Sequence, residues 1–127
     1  MIGYVTLGTN DMARSVAFYD AVLAELGAKR FASSDRFNYW GKREGLGMLA
    51  VYTPYDGEPA TVGNGVMVAL AVRTREQVER AHRRALAQGS VDEGAPGLRG
   101  DAFYGAYFRD PDGNKLCVFT REDLARG

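Results

Sequence analysis

The same succession of hydrophobic periods occurs twice in this sequence, and that duplication restricts the fold more than any single motif does. An offset that lays Tyr4-Val5-Thr6-Leu7 over Met67-Val68-Ala69-Leu70 also lays Leu23 over Leu86. The first copy opens with that short β-prone run, followed by Thr9-Asn10-Asp11, whose side-chain oxygens suit the start of a helix. Apolar residues then recur three or four apart as Met12, Val16, Tyr19, Leu23 and Leu26, which predicts a helix over 12–26 ended by Gly27. Three β-prone segments follow, over 28–34, 37–42 and 47–53, separated by Ser33-Ser34-Asp35 and Lys42-Arg43-Glu44-Gly45, both good turn material.

Residues 54–64 are rich in Gly, Pro, Asp and Thr and carry no sustained period, so they read as a surface connection. The order then returns: a strand over 66–72 and a helix from 75 to about 88, opened by the T-x-x-Q capping box of Thr74-Arg75-Glu76-Gln77 and closed by Gly89. Val78, Ala81, Ala85 and Leu86 give that helix an apolar side, and His82, amid Arg80, Arg83 and Arg84, is expected on its solvated side. Further strands are predicted near 90–93, 102–109 and 115–120, the last two joined by a hairpin connection, Asp110-Pro111-Asp112-Gly113-Asn114.

One helix on one small sheet leaves a sheet face bare, so two such units are expected to pack together. The predicted fold is α+β: two βαβββ units forming one curved, cupped mixed sheet with helices on the outer face. The 127 residues make a single domain, with units over 1–54 and 64–122 joined by 55–63. A chain of this size buries roughly 65–70% of its unfolded surface and needs no staples. Lys and Arg number 16 and Asp and Glu also 16, which leaves no strong field to gather nucleic acid or an anionic membrane. The expected partners are therefore a small molecule and a second copy of the chain. The single cysteine, Cys117, rules out an internal disulfide and fits a cytoplasmic setting. No basic-then-apolar leader opens the chain, and no apolar run approaches the ~20 residues of a membrane span, so neither secretion nor membrane insertion is expected.

Two stretches carry a likeness. Tyr104-Gly105-Ala106-Tyr107-Phe108-Arg109-Asp110-Pro111-Asp112-Gly113-Asn114-Lys115-Leu116 and Asn10-Asp11-Met12-Ala13-Arg14-Ser15-Val16-Ala17-Phe18-Tyr19 resemble the late signature and the "D-x-x-R-S-x-x-F-Y" first helix of the vicinal-oxygen-chelate superfamily. That superfamily is also called the glyoxalase, bleomycin-resistance and extradiol-dioxygenase superfamily, and the likeness covers essentially the whole chain. It implies a divalent metal in the cupped face, held by the first and last strands of each unit, and it implies a homodimer. Carried over, the metal columns fall on Tyr4, Ala50, Met67 and Cys117, and none is His, Asp or Glu. A divalent ion needs imidazole nitrogen or carboxylate oxygen there. No metal and no other cofactor is expected. Neither signature is itself chemical: the hairpin is explained by turn geometry, and Phe18 and Tyr19 are expected to anchor the helix on the sheet.

Strand alternation fits this alignment. If those four columns face the cup, Val5, Leu7, Val68, Leu70, Leu49, Val51, Leu116 and Val118 face the helices. The cup then collects Tyr4, Thr6, Met48, Ala50, Tyr52, Met67, Ala69, Cys117 and Phe119, a composition suited to a flat or apolar small molecule. Tyr4 and Tyr52 either bond a ligand or simply fill the cup, and Cys117 reads as a buried inert thiol. The glycine-rich stretch over 93–104 is expected as a loop at the pocket mouth, where Arg99 is a candidate partner for a carboxylate or phosphate. Tyr39, Trp40 and Tyr55 are candidate interface aromatics, with core burial the competing reading. No catalytic residue is assigned. By resemblance three functions stand: a metal-free binder of a small organic molecule, similar to antibiotic-sequestering relatives; a lyase- or dioxygenase-type enzyme with metal-independent or relocated-metal chemistry; and a module whose cup is filled by its own side chains.

Overall fold

The computed structural model describes residues 1–43, 45 and 47–121; Glu44 in the predicted turn and residue 122, the predicted end of the second unit, lie outside the described residues. The first unit comprises β1 (Tyr4–Gly8), α1 (Met12–Ala24), β2 (Lys29–Ser33), β3 (Phe37–Gly41) and β4 (Met48–Tyr52). The second comprises β5 (Val68–Ala71), α2 (Arg75–Ala87), β6 (Asp92–Arg99), β7 (Phe103–Arg109) and β8 (Lys115–Arg121). Each unit builds a four-stranded mixed sheet of the same topology, β1-β4-β3-β2 and β5-β8-β7-β6. In both, the first strand runs parallel to the last and the last three form an antiparallel meander. The architecture is the expected α+β pair of βαβββ units.

Local chemistry starts and ends the helices where the sequence places the signals. The Asp11 side chain accepts from the Arg14 N–H, and Thr74 and Gln77 form the reciprocal capping box, each such cap being worth about 1 kcal/mol. Gly27 and Gly89 take φ values of 80° and 85°, and the next residues reach back, Ala28 N–H to Leu23 O and Ser90 N–H to Ala85 O. Only a residue without a Cβ enters that left-handed turn cheaply.

Both units bury their apolar sides in one core. Leu7, Leu49, Val51, Leu116 and Val118 enter it from the sheets, with Val5, Val68 and Leu70 packed against it, as strand alternation demands. Phe18 and Tyr19 enter from α1, and Phe18 meets Phe108 of the other unit at 6.3 Å between ring centroids. Trp40 is buried and donates its indole N–H to Asp20 at 2.8 Å, so of the three interface candidates it belongs to the core, while Tyr55 is exposed.

Three readings of the second unit are corrected. His82 is 5% exposed rather than solvated: it shares the inward stripe of Val78, Ala81 and Ala85, and its Nε2 lies 3.0 Å from the Asp92 carboxylate. That hydrogen bond, followed by one from the Gly94 N–H, holds the Asp92 carboxyl below its usual range. Leu86, assigned to the apolar side, is exposed because that inward stripe turns past it. The stretch over 93–104 is mostly strand: β6 runs to Arg99 and pairs with β7, with register shifts between Asp92 and Gly97. An edge position and local irregularity tolerate Pro96, which has no N–H to offer a ladder.

The hairpin between β7 and β8 also joins the units. Asp112, whose side chain is 3% exposed, accepts from Thr9 Oγ1 at 2.6 Å, the Asn10 N–H at 2.8 Å and Ser15 Oγ at 3.2 Å, and pairs with Arg14 at 3.1 Å. Asp110, also buried, accepts from the Asn114 and Asp112 backbone N–H groups, from Asn114 Nδ2 and from the Tyr19 hydroxyl at 2.6 Å. Asn114 Nδ2 further reaches Gly8 O at 3.0 Å. The two signature stretches are thus each other's binding partners.

Burial, then the Asp110 carboxylate, raises the Tyr19 phenol well above its ordinary value. A raised phenol contributes stability that is complete below the unfolded value near 10 and is lost as pH rises beyond it. Tyr19→Phe should cost about 2 kcal/mol in urea unfolding at pH 7, the typical worth of a hydrogen bond to a charged group. The gap from wild type should narrow above pH 10; an unchanged midpoint at pH 7 would show that the Tyr19–Asp110 bond does not stabilise the packed halves.

Candidate functional site

The face of each sheet turned away from the core is the candidate site, because the aromatic and polar side chains on it stand outside the core cluster. In the first sheet, register partners share a face: Tyr4 with Met48, Thr6 with Ala50, Ala50 with Tyr39, and Tyr52 with Phe37. Four aromatic rings gather there. Phe37 stacks on Tyr52 at 5.4 Å, and Tyr39 meets Tyr4, Phe37 and Tyr52 edge-on at 5.4, 5.5 and 5.8 Å. The Tyr39 and Tyr52 hydroxyls are hydrogen-bonded to each other. That bond, then burial and the neighbouring phenols, raises the Tyr39 phenol above its ordinary value, so it stays protonated at neutral pH and offers hydrogen bonds rather than a base. A cavity of about 380 Å³ opens beside this cluster, lined by Tyr4, Thr6, Tyr52, Arg36, Pro54 and Tyr55.

The second sheet is different in chemistry. Cys117 pairs with Ala69 and Tyr107, and Phe119 with Ala71 and Gly105. Phe103 and Phe119 stack nearly parallel at 4.9 Å. The Arg99 guanidinium and the Lys115 ammonium lie 5.6 and 5.7 Å from the Tyr107 ring centroid, within cation–π range. Cys117 is fully buried, and burial pushes its thiol up against the opposing pull of Tyr107, Arg99 and Lys115. The Tyr107 phenol is raised by its own burial and then by Cys117.

The residues expected to form a single cup, with Arg99 at its mouth, divide between these faces. Tyr4, Thr6, Met48, Ala50 and Tyr52 lie on the first sheet, with Tyr4 and Thr6 exposed and Ala50 fully covered. Arg99, Cys117 and Phe119 lie on the second. Met67, just ahead of β5, lines with Met48 an apolar cavity of about 550 Å³ between the units, which Ile2, Val5 and Ala69 also line. Among the described residues no hydrogen bond or ring contact joins the Tyr4–Tyr39–Tyr52 cluster to the Tyr107–Phe119 cluster. Phe37, Phe103, Tyr107 and Lys115 join these faces without being candidates from the sequence, and Tyr39, an interface candidate, lies within the first cluster. The alternations Phe37-x-Tyr39-x-Gly41 and Phe103-x-Gly105-x-Tyr107 carry the missing signal, since the parity that sorts β1, β4, β5 and β8 extends to β3 and β7.

The donor set does not fit a divalent metal. Phenol, methyl, thioether and thiol stand at the four positions implied by the resemblance, and among the described residues no three His, Cys, Asp or Glu side chains converge. Asp110 and Asp112 are consumed by the junction between units, and His82 by Asp92.

Comparison with known proteins agrees with the geometry. The family model for the Glyoxalase/Bleomycin resistance protein/Dioxygenase superfamily matches residues 1–118. A glyoxalase/bleomycin resistance protein from Albidiferax ferrireducens is 38% identical, with 95% of this chain and 98% of that one covered and a TM-score of 0.87. Two more distant structures share the fold. Lactoylglutathione lyase from Agrobacterium tumefaciens is 20% identical, with 94% and 92% covered and a TM-score of 0.69. An antibiotic binding protein from a Streptomyces species is 16% identical, with 95% of each chain covered and a TM-score of 0.68. No curated protein sequence matches.

A thiol that is buried and held protonated should be inert in the folded chain. Cys117 should react with Ellman's reagent at pH 8 on the order of a hundredfold more slowly in the native protein than in denaturant, following local opening. Equal rates in the two states would place the thiol at an accessible, activated site instead.

Proposed function

This chain belongs to the Glyoxalase/Bleomycin resistance protein/Dioxygenase superfamily, and from that premise we propose that it binds a small, flat organic molecule on its open sheet faces without a metal ion. The observation that carries this reading is the four-ring cluster of Tyr4, Phe37, Tyr39 and Tyr52 beside a cavity of about 380 Å³. Aromatic walls with a few fixed hydroxyls suit a flat ligand whose edge carries polar groups. The proposed contacts are Tyr4, Thr6, Met48, Ala50 and Tyr52 on the first sheet and Met67, Arg99, Cys117 and Phe119 on the second. Ala50 and Cys117 form floor beneath the other side chains. The family's lyase and dioxygenase chemistries need a Lewis acid or oxygen-binding metal. The side chains at the implied positions are unsuited to hold one, so binding is the activity that they support.

A homodimer is part of the proposal. Among the described residues β1 and β5 each have one edge without a strand partner, flanking the cavity between the units, and next to those edges Ile2, Tyr4, Val66 and Met67 stand exposed. Unpaired edges flanked by apolar side chains are surfaces that chains tend to cover. A second copy laid along them would set the phenolic face of one chain against the cationic face of its partner, completing a cup that one chain supplies in halves. The setting proposed is cytoplasmic, on the single reduced cysteine.

The test is a thermal-shift screen of the dialysed protein against flat aromatic compounds, together with metal analysis. A binder present at a hundred times its Kd should raise stability by about 2.7 kcal/mol. Tyr52→Ala should weaken that binder roughly tenfold or more by removing one ring and one hydroxyl from the cluster. Stoichiometric Zn, Ni, Mn or Fe surviving dialysis, or silence across the library, would overturn the metal-free binding reading. Sedimentation should give a dimer, and a monomer at micromolar concentration would remove the completed cup.

A further inference from the structure

We propose that the second sheet recognises a carboxylate on the bound molecule through Arg99 and Lys115, a specificity that rests on the small-molecule reading above. Of the described arginines with carboxylate partners, Arg14, Arg30, Arg80 and Arg109 pair with Asp112, Asp20, Glu25 and Glu93. Among the described residues Arg99 and Lys115 have no acidic partner. Both nevertheless converge on one ring, that of Tyr107, and on the buried Cys117 beside it. Other described cations also lack an acidic partner, but these two are brought to one ring on an open sheet face, where together they would hold an anion.

Arg99 is also seated rather than waving in solvent. Its Nη2 donates to Ala95 O at 2.7 Å, and a Cβ added at Gly94 or Gly97 would come within 3.2 and 2.9 Å of the guanidinium nitrogens. The two glycines of β6 therefore leave a channel along the strand backbone in which the guanidinium lies. Only one of its N–H groups has a hydrogen-bond acceptor among the described residues, so the fork retains donors for a planar anion. Lys115 adds a point charge from β8, and its register partner Arg109 is already neutralised by Glu93 at 2.9 Å. Two residues along β8 from Cys117, about 7 Å at strand spacing, the stacked Phe103 and Phe119 offer an aromatic surface. Cation pair and ring pair in line match an aromatic acid, whose carboxylate and ring are coplanar.

The probes are 2-naphthoate and its neutral amide, 2-naphthamide, titrated by calorimetry into the full chain and into the Arg99→Gln/Lys115→Gln double variant. Both substituted residues lie on the open face, and losing their contacts with Tyr107 and Ala95 should lower the melting temperature by only several degrees and leave the variant folded. Wild type should hold the acid at least roughly tenfold tighter than the amide, high salt should shrink that difference, and the variant should abolish it, its affinity for the acid falling to or below its affinity for the amide. Equal affinities for acid and amide in wild type, or a preference that survives in the variant, overturns the assignment while leaving small-molecule binding intact. Displacement of naphthoate by equimolar inorganic phosphate overturns the preference for carboxylate. Failure of the acid to bind overturns the carboxylate assignment, whereas the small-molecule reading falls only with silence across the library.

Discussion

The hairpin carboxylates Asp110 and Asp112 sit at the junction on which the rest of this structure depends. Each would be costly to bury alone, and each is instead surrounded by donors, several of which come from the opposite unit. Because the Thr9, Asn10, Ser15 and Tyr19 donors lie at the start and middle of α1, a hairpin 90 or more residues downstream fixes that helix against the second sheet. The Phe18–Phe108 contact lies at the same junction and puts apolar area beside the polar bonds. Neither unit could bury its helix-facing aliphatic side without the other, since one helix does not cover a four-stranded sheet. The junction therefore converts two marginal units into one core.

This explains why the sequence discloses the fold so readily. Strand parity, helix caps and the glycines after each helix are local signals, and all act in the structure as read. The hairpin Asp-Pro-Asp-Gly-Asn and the D-x-x-R-S-x-x-F-Y helix were legible as motifs, yet their physical reason was hidden. Turn geometry accounts for Pro111 and Gly113; the aspartates are there for partners that only the tertiary fold supplies. His82 was misplaced for a related reason: three neighbouring arginines made its helix face look solvated, and the acceptor that permits burial, Asp92, is contributed by another element. The extent of β6 was obscured by glycine and proline, which are loop signals in isolation but edge-strand irregularities once β7 is alongside.

Parity on β1, β4, β5 and β8 tells which residues face away from the core, and the candidate site draws on two further strands. β3 and β7 carry the same alternation, and including them would have assembled Phe37, Tyr39 and Tyr107 with the residues already named. What no parity argument contains is how the two faces lie relative to one another, because that depends on how the units pack. Nor does it contain the seat of Arg99. Glycines at 94 and 97 look like flexibility in the sequence; beside the guanidinium they are space.

The division of labour between sheet faces also bears on how a fold of this kind can change chemistry. Residues that hold the architecture, Leu7, Leu49, Val51, Leu116 and Val118 with the hairpin carboxylates, occupy the core parity and the junction. Residues that would touch a ligand occupy the opposite parity. Tyr4, Ala50, Met67 and Cys117, where the resemblance implies metal donors, stand outside the core cluster, so the donor set and the core are carried by different residues. Fold and chemistry are separately specified in such a chain, which is why membership in a family that includes enzymes constrains this protein's shape far more tightly than its activity. The chemistry has to be read from the open faces themselves, and these offer a cluster of phenols on one sheet and, on the other, Arg99 and Lys115 gathered on one ring.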